Sequence, residues 1–281
     1  MKEVILAEKS GFCFGVNRAY ETALEKSKDK NVSTYTFGPL IHNEEAISYL
    51  SEKGVDPLSI DDIHKLKNSN EIIIRSHGVT EDIEEMLKAN IGTVIDCTCP
   101  YVKRIQTKAR EYYQKGYQIV LVGNEKHPEI IGINGWCKNS AFITRDAKNV
   151  PSFDKDICIL SQTTEKKEIW DKIVNAVKIA NPDKEIIALN TICSATTERQ
   201  MAAKELSQTV PAMIVIGGKA SSNTKKLYEI CSEYCQNTQL VSNVENINID
   251  LLKNINKVGV TAGASTPKWI IDEIVDFISN L

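Results

Sequence analysis

No stretch of this chain approaches the 18 or so consecutive apolar residues that a membrane-crossing helix needs. The opening Met1-Lys2-Glu3-Val4-Ile5-Leu6-Ala7-Glu8 is too short and too charged for a signal peptide, so a cytoplasmic protein is expected. Basic runs are missing as well: the net charge is −3, which gives no electrostatic reason to expect nucleic acid or an anionic membrane as partner. Low-complexity segments and long linkers are absent. No Cys-x-x-Cys pairs stand at zinc-finger spacing, and Cys97-Thr98-Cys99 is too tight for that pattern. What remains is an ordinary globular composition, 42% hydrophobic and 25% charged over 281 residues, long enough to bury its own core. Its eight cysteines, in a reducing compartment, therefore read as metal ligands or buried residues rather than as four disulfides.

Three features recur about every 90 residues. The first is a short apolar run that leads to a cysteine and then to a helical pattern: Val4-Ile5-Leu6-Ala7 to Cys13, Thr93-Val94-Ile95-Asp96 to Cys99, and Ile186-Ile187-Ala188-Leu189 to Cys193 with a helix from Ser194 to Leu206. The second is a strand ending in glycine and followed by polar side chains: Gly38 with His42-Asn43-Glu44, Gly123 with His127-Pro128-Glu129, and Gly217 with Ser221-Ser222-Asn223. The third is a strand ending in small hydroxyl or histidine residues: Ser76-His77-Gly78, Ser161-Gln162-Thr163-Thr164, and Thr261-Ala262-Gly263-Ala264-Ser265. Periods of this length mean repeated supersecondary modules. Apolar runs of four or five residues alternate with helical patterns, so the fold class is α/β with mostly parallel strands in three similar modules. Counted from cysteine to cysteine, the modules are 14–99, 100–193 and 194–281. Helices are expected over Glu81 to Ala89, Val102 to Lys115, Glu165 to Ile179, Ala202 to Gln208 and Pro267 to Asn280, with Thr80 and Thr266 as N-caps. In such sheets ligands sit beyond the carboxyl ends of the strands, where every one of these polar residues falls.

The residue types suggest a chemistry. One cysteine per module makes three soft ligands, suited to an iron–sulfur cluster, which ordinarily uses four thiolates; one iron would be left open to act as a Lewis acid. Pro100 fits a first helical position and makes Cys99 an N-cap at the positive helix end, which favours it over its rival Cys97. Cys231 and Cys235 read as core packing, and Cys137 and Cys158 as structural. Of the four histidines, His42, His77 and His127 stand in strand–helix loops, while His64 reads as a surface residue. With Thr163, Ser221, Ser222, Asn223 and Ser265 they form a donor-rich set at helix N-termini, suited to an anion such as a diphosphate without any Lys or Arg cluster. Gly217-Gly218-Lys219 lacks the spacing of a nucleotide-triphosphate loop. Glu129, tied to His127 by a proline, is expected to hold a proton in a closed, low-dielectric pocket and to deliver it as a general acid.

Read together, Gly11-Phe12-Cys13, Ile41-His42-Asn43, Ser76-His77-Gly78-Val79, Thr98-Cys99-Pro100, His127-Pro128-Glu129, Gln162-Thr163-Thr164, Ile192-Cys193-Ser194-Ala195-Thr196, Ser221-Ser222-Asn223 and Thr261-Ala262-Gly263-Ala264-Ser265 are nine ordered motifs. In them the chain resembles the 4-hydroxy-3-methylbut-2-enyl diphosphate reductase family of the non-mevalonate isoprenoid pathway, from residue 4 to the C-terminal helix. That resemblance implies a pseudo-threefold trefoil of α/β domains around a [4Fe–4S] cluster held by Cys13, Cys99 and Cys193. The substrate hydroxyl would sit on the open iron, and strand 1–13 would pack on the third domain. It implies reductive removal of the hydroxyl with two electrons and two protons, giving isopentenyl and dimethylallyl diphosphate. Glu129 matches the family's proton donor. Thr163 and His127 match its partners near the hydroxyl, and His42, His77, Ser221, Ser222, Asn223 and Ser265 match the diphosphate site. A ferredoxin or flavodoxin is the implied electron donor. Two other classes use part of the same residues: a hydro-lyase with the open iron and no net redox change, and a non-enzymatic iron–sulfur sensor or electron carrier. The last would leave the histidines, Glu129 and the Ser-Ser-Asn run without a task.

Overall fold

The structure, a computed structural model, describes residues 1–66 and 69–281. Among the described residues twelve strands lie in three four-stranded sheets, and every pairing is parallel. One sheet has the order β1 (Glu3–Leu6), β12 (Lys257–Ala262), β10 (Met213–Ile216), β11 (Thr238–Val241). A second has β5 (Thr93–Asp96), β4 (Glu71–Ile74), β2 (Thr34–Phe37), β3 (Asp56–Leu58). The third has β9 (Ile186–Ala188), β8 (Ile157–Ser161), β6 (Gln118–Val122), β7 (Phe142–Thr144). The three orders are the same: the strand before a cysteine lies at one edge, the hydroxyl- or histidine-ending strand is next, and the glycine-ending strand follows. This is an α/β fold of three similar modules.

Parallel strands need long crossovers, supplied here by α1 (Phe14–Lys26), α2 (Glu44–Glu52), α3 (Glu81–Asn90), α4 (Pro100–Gln114), α5 (Pro128–Gly135), α6 (Lys167–Ala180), α7 (Ser194–Ser207), α8 (Ser222–Tyr234) and α9 (Lys268–Ser279). Helices on both faces bury both faces of a sheet, which is why strands such as Met213-Ile214-Val215-Ile216 are apolar throughout rather than alternating. Ile214 and Ile216 pack with Ile270, Ile271, Ile274 and Ile278 of α9, whereas Met213 and Val215 pack with Ala203 of α7 and with Leu227 and Cys231 of α8. In the third sheet Ile119, Leu121, Cys158 and Leu160 meet α4 and α5 through Ile105, Ala109, Ile130 and Ile133. Val120, Val122, Ile157 and Ile159 meet Trp170, Ile173 and Val177 of α6 on the other face.

The chain forms two compact units. One comprises Met1–Asn17, Ile41–Glu52 and Ser194–Leu281, the other Arg18–Leu40 and Lys53–Cys193. In the first, β1 pairs in register with β12, Val4 against Val258 and Leu6 against Val260, so the N-terminal strand completes a sheet built from the other end of the chain. Helix α2, early in the sequence, also belongs to this unit. The second unit holds the other two sheets. Among the described residues no helix is long and apolar enough to cross a membrane.

Expected helices and observed ones agree within a few residues at most ends, with local corrections. Helix α6 starts at Lys167 rather than Glu165, because Gln162–Glu165 closes a turn and the buried Glu165 carboxylate is paired with Arg145 Nε at 3.0 Å. Helix α7 starts at Ser194, so Ala202 lies well inside it. Thr80 caps α3, its hydroxyl accepting from Ile83 N–H at 3.3 Å. Thr266 does not cap α9: its hydroxyl donates to the carbonyl of Ile216 at 3.1 Å, tying the loop to β10, and Pro267 takes the cap position. Cys235 lies one residue beyond α8 as its C-cap, still packed in the same core as Cys231.

Candidate functional site

Each of the three candidate cysteines enters a helix directly. Cys13 precedes α1, Cys99 is the N-cap of α4 with Pro100 at the first position, and Cys193 precedes α7. The carbonyls of Cys13 and Cys99 accept the first helical bonds, from Asn17 at 2.8 Å and Lys103 at 2.9 Å. Their amides are used equivalently: Cys13 N–H donates to Ala264 at 3.1 Å, Cys99 N–H to Ser76 at 2.9 Å and Cys193 N–H to Thr163 at 3.0 Å. In each sheet, then, the cysteine is tied by its backbone to the polar loop that follows the adjacent strand. None of the eight cysteines is in a disulfide; these three are half-buried and the other five buried. Burial pushes the Cys97 thiol up against the opposing effects of a Thr22 hydrogen bond and the Arg18 charge. Asp96 shapes this loop, accepting from Thr98 N–H at 2.9 Å and from Lys103 Nζ at 3.2 Å.

In the unit that carries Cys99 and Cys193, Glu129 is 2% exposed and meets Thr163 twice. Thr163 N–H donates to Oε1 at 2.6 Å and the Thr163 hydroxyl to Oε2 at 2.8 Å. The pair follows from the register of β6 on β8, which sets Val122 beside Ser161 and brings the two following loops together. His127 caps α5, its Nδ1 accepting from Glu129 N–H at 3.1 Å. A neutral His127 therefore carries its proton on Nε2. The His77 and His127 rings stand edge to face with centroids 5.4 Å apart. A buried carboxyl, a hydroxyl and two imidazoles at the carboxyl ends of parallel strands can deliver a proton to a bound oxygen and donate to an anion.

The unit that carries Cys13 gathers the hydroxyl-rich set. Ser221 caps α8, accepting from Thr224 N–H at 3.3 Å, and Ser222 opens that helix. Asn223 is 3% exposed, and both its amide oxygen and its nitrogen are buried with no hydrogen-bond partner. Unmet buried polar atoms cost free energy, so this side chain calls for a polar ligand. The Ser265 hydroxyl donates to the carbonyl of His42 at 3.2 Å, and Asn43 caps α2 through Ala46 N–H at 3.0 Å. A Cβ at Gly218 would come within 2.5 Å of the His42 carbonyl oxygen, so only glycine allows this approach.

A family model described as LytB protein matches residues 4–279. The chain belongs to the LytB protein family. A relative from Clostridium acetobutylicum, named 4-hydroxy-3-methylbut-2-enyl diphosphate reductase, is 51% identical over all of this chain; the chain spans 44% of that relative's length. The same proportion of a 49% identical Clostridium tetani relative of the same name is covered. A Clostridium perfringens relative of that name is 45% identical, with 100% of this chain and 99% of the relative covered. Among solved structures, (E)-4-hydroxy-3-methyl-but-2-enyl diphosphate reductase matches with a TM-score of 0.72 and 37% identity over the whole of both chains. The E-1-hydroxy-2-methyl-but-2-enyl-4-diphosphate reductase from Plasmodium falciparum matches with a TM-score of 0.89 and 29% identity, covering 98% of this chain and 87% of that one.

Within this LytB chain the residues singled out from sequence divide between the two units. Cys13, His42, Ser221, Ser222, Asn223 and Ser265 belong to one, and His77, Cys99, His127, Glu129, Thr163 and Cys193 to the other. His64 is exposed on a short 3-10 turn. Buried Gln162 accepts from Asn124 N–H at 3.3 Å and donates to the Thr164 hydroxyl at 3.0 Å; its motif was visible in sequence, its bracing of the glutamate loop was not. Arg18 and Arg199, which hold cysteine loops, carried no local signal.

Proposed function

We propose that the chain is a 4-hydroxy-3-methylbut-2-enyl diphosphate reductase. It takes up two electrons and two protons, expels the allylic hydroxyl as water and yields isopentenyl or dimethylallyl diphosphate. The observation that carries this reading is the buried Glu129–Thr163 pair: a carboxyl held by two hydrogen bonds beside the residue whose carbonyl accepts from Cys193 N–H. Relatives bearing the reductase name support it.

Cys13, Cys99 and Cys193 fit a [4Fe–4S] cluster by their donor chemistry: three half-buried thiols at helix entries, each from an equivalent place in its sheet. The modules 14–99, 100–193 and 194–281, the last with strand 1–13, would then each supply one thiolate. When bound, the cluster supplies electrons and an iron with an open position that acts as a Lewis acid. Glu129 delivers a proton to the departing hydroxyl, and Thr163 orients the carboxyl and joins that hydroxyl's hydrogen-bond network. His127 caps the helix whose first turn carries Glu129 and donates from Nε2 toward substrate. Ser221, Ser222, Asn223, Ser265, His42 and His77 bind the diphosphate through hydroxyl, amide and imidazole donors. The electron donor is a ferredoxin or flavodoxin, and the enzyme works in the cytoplasm without membrane or nucleic-acid partners.

Anaerobically purified protein tests the reading by iron and sulfide analysis, Mössbauer spectra with and without the allylic diphosphate, and turnover with a chemical reductant. A four-iron cluster with one distinct iron that responds to substrate, and reduced C5 diphosphates as products, are expected. Dehydration of the substrate without electron uptake would replace the reductase with a hydro-lyase. A folded, iron-free protein would remove the cluster.

A further inference from the structure

Two buried or half-buried arginines, unused by the proposed reaction, grip the loops that present cysteines. Arg18, five residues after Cys13 on α1, donates from Nη2 to the carbonyl oxygen of Thr98 at 2.7 Å. That oxygen belongs to the peptide unit whose nitrogen is that of Cys99. Arg199, six residues after Cys193 on α7, donates from Nη2 to the carbonyl of Gly11 at 2.8 Å and from Nη1 to that of Ala195 at 2.9 Å. Gly11 lies two residues before Cys13 in a left-handed conformation (φ +86°), where a Cβ would come within 3.0 Å of Ile271. The helix after one cysteine thus carries the cation that holds the loop of another. The third helix does not follow suit, since Arg104, five residues after Cys99, is exposed.

Both guanidinium groups are poorly compensated. Arg199 is 6% exposed, and in each arginine Nε is buried with no hydrogen-bond partner. Among the described residues neither forms an ion pair with a carboxylate, so the hydrogen bonds named above all run to neutral carbonyls. A buried cation without a counter-ion is costly and marks a place built for negative charge.

We propose that Arg18 and Arg199 are positioning residues that lock the Cys99 and Cys13 loops and supply the fixed positive charge that balances a thiolate-held cluster. This rests on the reading of the three cysteines as cluster ligands. It extends to redox poise: the reduced cluster is the more negative state, so two fixed cations favour it and raise its potential.

The test uses Arg18→Gln, Arg18→Lys, Arg199→Gln and Arg199→Lys in the full chain, with two readouts. In apo-protein, iodoacetamide labelling resolved by peptide mass spectrometry should show Cys99 reacting several-fold faster in Arg18→Gln, with Cys193 as the unchanged internal reference, and Cys13 several-fold faster in Arg199→Gln, with Cys99 as the reference. In anaerobically reconstituted protein, the midpoint potential should move to more negative values in the glutamine variants and return toward the parent value in the lysine variants. The lysine variants keep the charge and an N–H donor group, so they remain readable if a glutamine variant does not fold; the same site selectivity at smaller amplitude is expected. Uniform labelling of the three cysteines in all variants would overturn the loop-holding role, and an unchanged potential in the glutamine variants the electrostatic one. Absence of a cluster in the parent would overturn the iron–sulfur reading alone, since the labelling still decides the loops.

Discussion

Replacing Glu129 by Gln separates proton delivery from architecture. The carboxyl is buried and accepts from Thr163 N–H at 2.6 Å and from the Thr163 hydroxyl at 2.8 Å. Glutamine is nearly the same shape. Its oxygen keeps the backbone bond, and its amide nitrogen donates to the hydroxyl once the hydroxyl turns to accept, which leaves the second amide hydrogen and the hydroxyl hydrogen in need of new acceptors. The stability cost is then about 1–3 kcal/mol. For a chain of this size each kcal/mol lowers Tm by roughly 2–4 °C. Loss of a general acid costs about 10²- to 10⁴-fold in turnover, or roughly 2.7–5.5 kcal/mol of barrier. Thr163→Val is the comparator: it deletes the hydroxyl that donates to one buried carboxyl oxygen, costing about 1–3 kcal/mol of stability while the proton carrier stays. The two variants should therefore lose comparable stability, and the glutamine variant should be the less active. Single-turnover product formation, iron content and thermal unfolding, measured on the same anaerobic preparations, check both expectations. A folded, iron-loaded Glu129→Gln within about threefold of the parent rate would refute the proton-donor role, because even the low end of general-acid catalysis is about 10²-fold.

Cys13→Ser, Cys99→Ser and Cys193→Ser should each abolish cluster retention, whereas Cys97→Ser, at a buried thiol, should load iron and sulfide like the parent; elemental analysis after reconstitution decides. Gly218→Ala forces a Cβ within 2.5 Å of the His42 carbonyl oxygen, a clash of backbone against backbone. It should cost about 1–3 kcal/mol in urea unfolding and raise KM for the diphosphate more than it lowers kcat; an unchanged KM would separate that loop from the anion site. Burial pushes the Cys137 thiol up to about 11 and the Cys158 and Cys231 thiols up to about 12. Above the ordinary thiol value the unfolded chain releases these protons and the folded one does not, so stability is full below about pH 9 and falls as pH rises toward 12. Each thiol contributes a slope of up to about 1.4 kcal/mol per pH unit. Urea unfolding across pH 8–10.5 should show that fall, flatter in Cys158→Ala; a flat profile in the parent would contradict it.

The candidate site was legible wherever its signal was local. A cysteine after a short apolar run, with Pro100 or a helical pattern next, announces a helix entry within four residues, and α4 and α7 start where that logic puts them. The inner strands were legible as well, because parallel strands covered on both faces read as apolar runs, whereas the edge strands β3, a largely exposed Asp-Pro-Leu, and β11 were not. Thr266 shows the limit. Its position before Pro267 reads as a cap, but Pro267 holds the cap position and the Thr266 hydroxyl donates to the Ile216 carbonyl on β10. Helix α2 shows another: nothing in Glu44–Glu52 tells which unit it will join.

Residue types, their recurrence and the strand ends they occupy were determined by the sequence alone, since period, capping and burial pattern act over a few residues. Which donor meets which acceptor was decided only in the tertiary structure. Glu129 and Thr163 are 34 residues apart, Arg18 and Thr98 are 80 apart, and Arg199 and Gly11 are 188 apart. A hydrogen bond reaches about 3 Å, so partners that distant in the chain become neighbours only after parallel crossovers have set β6 against β8 and β1 against β12.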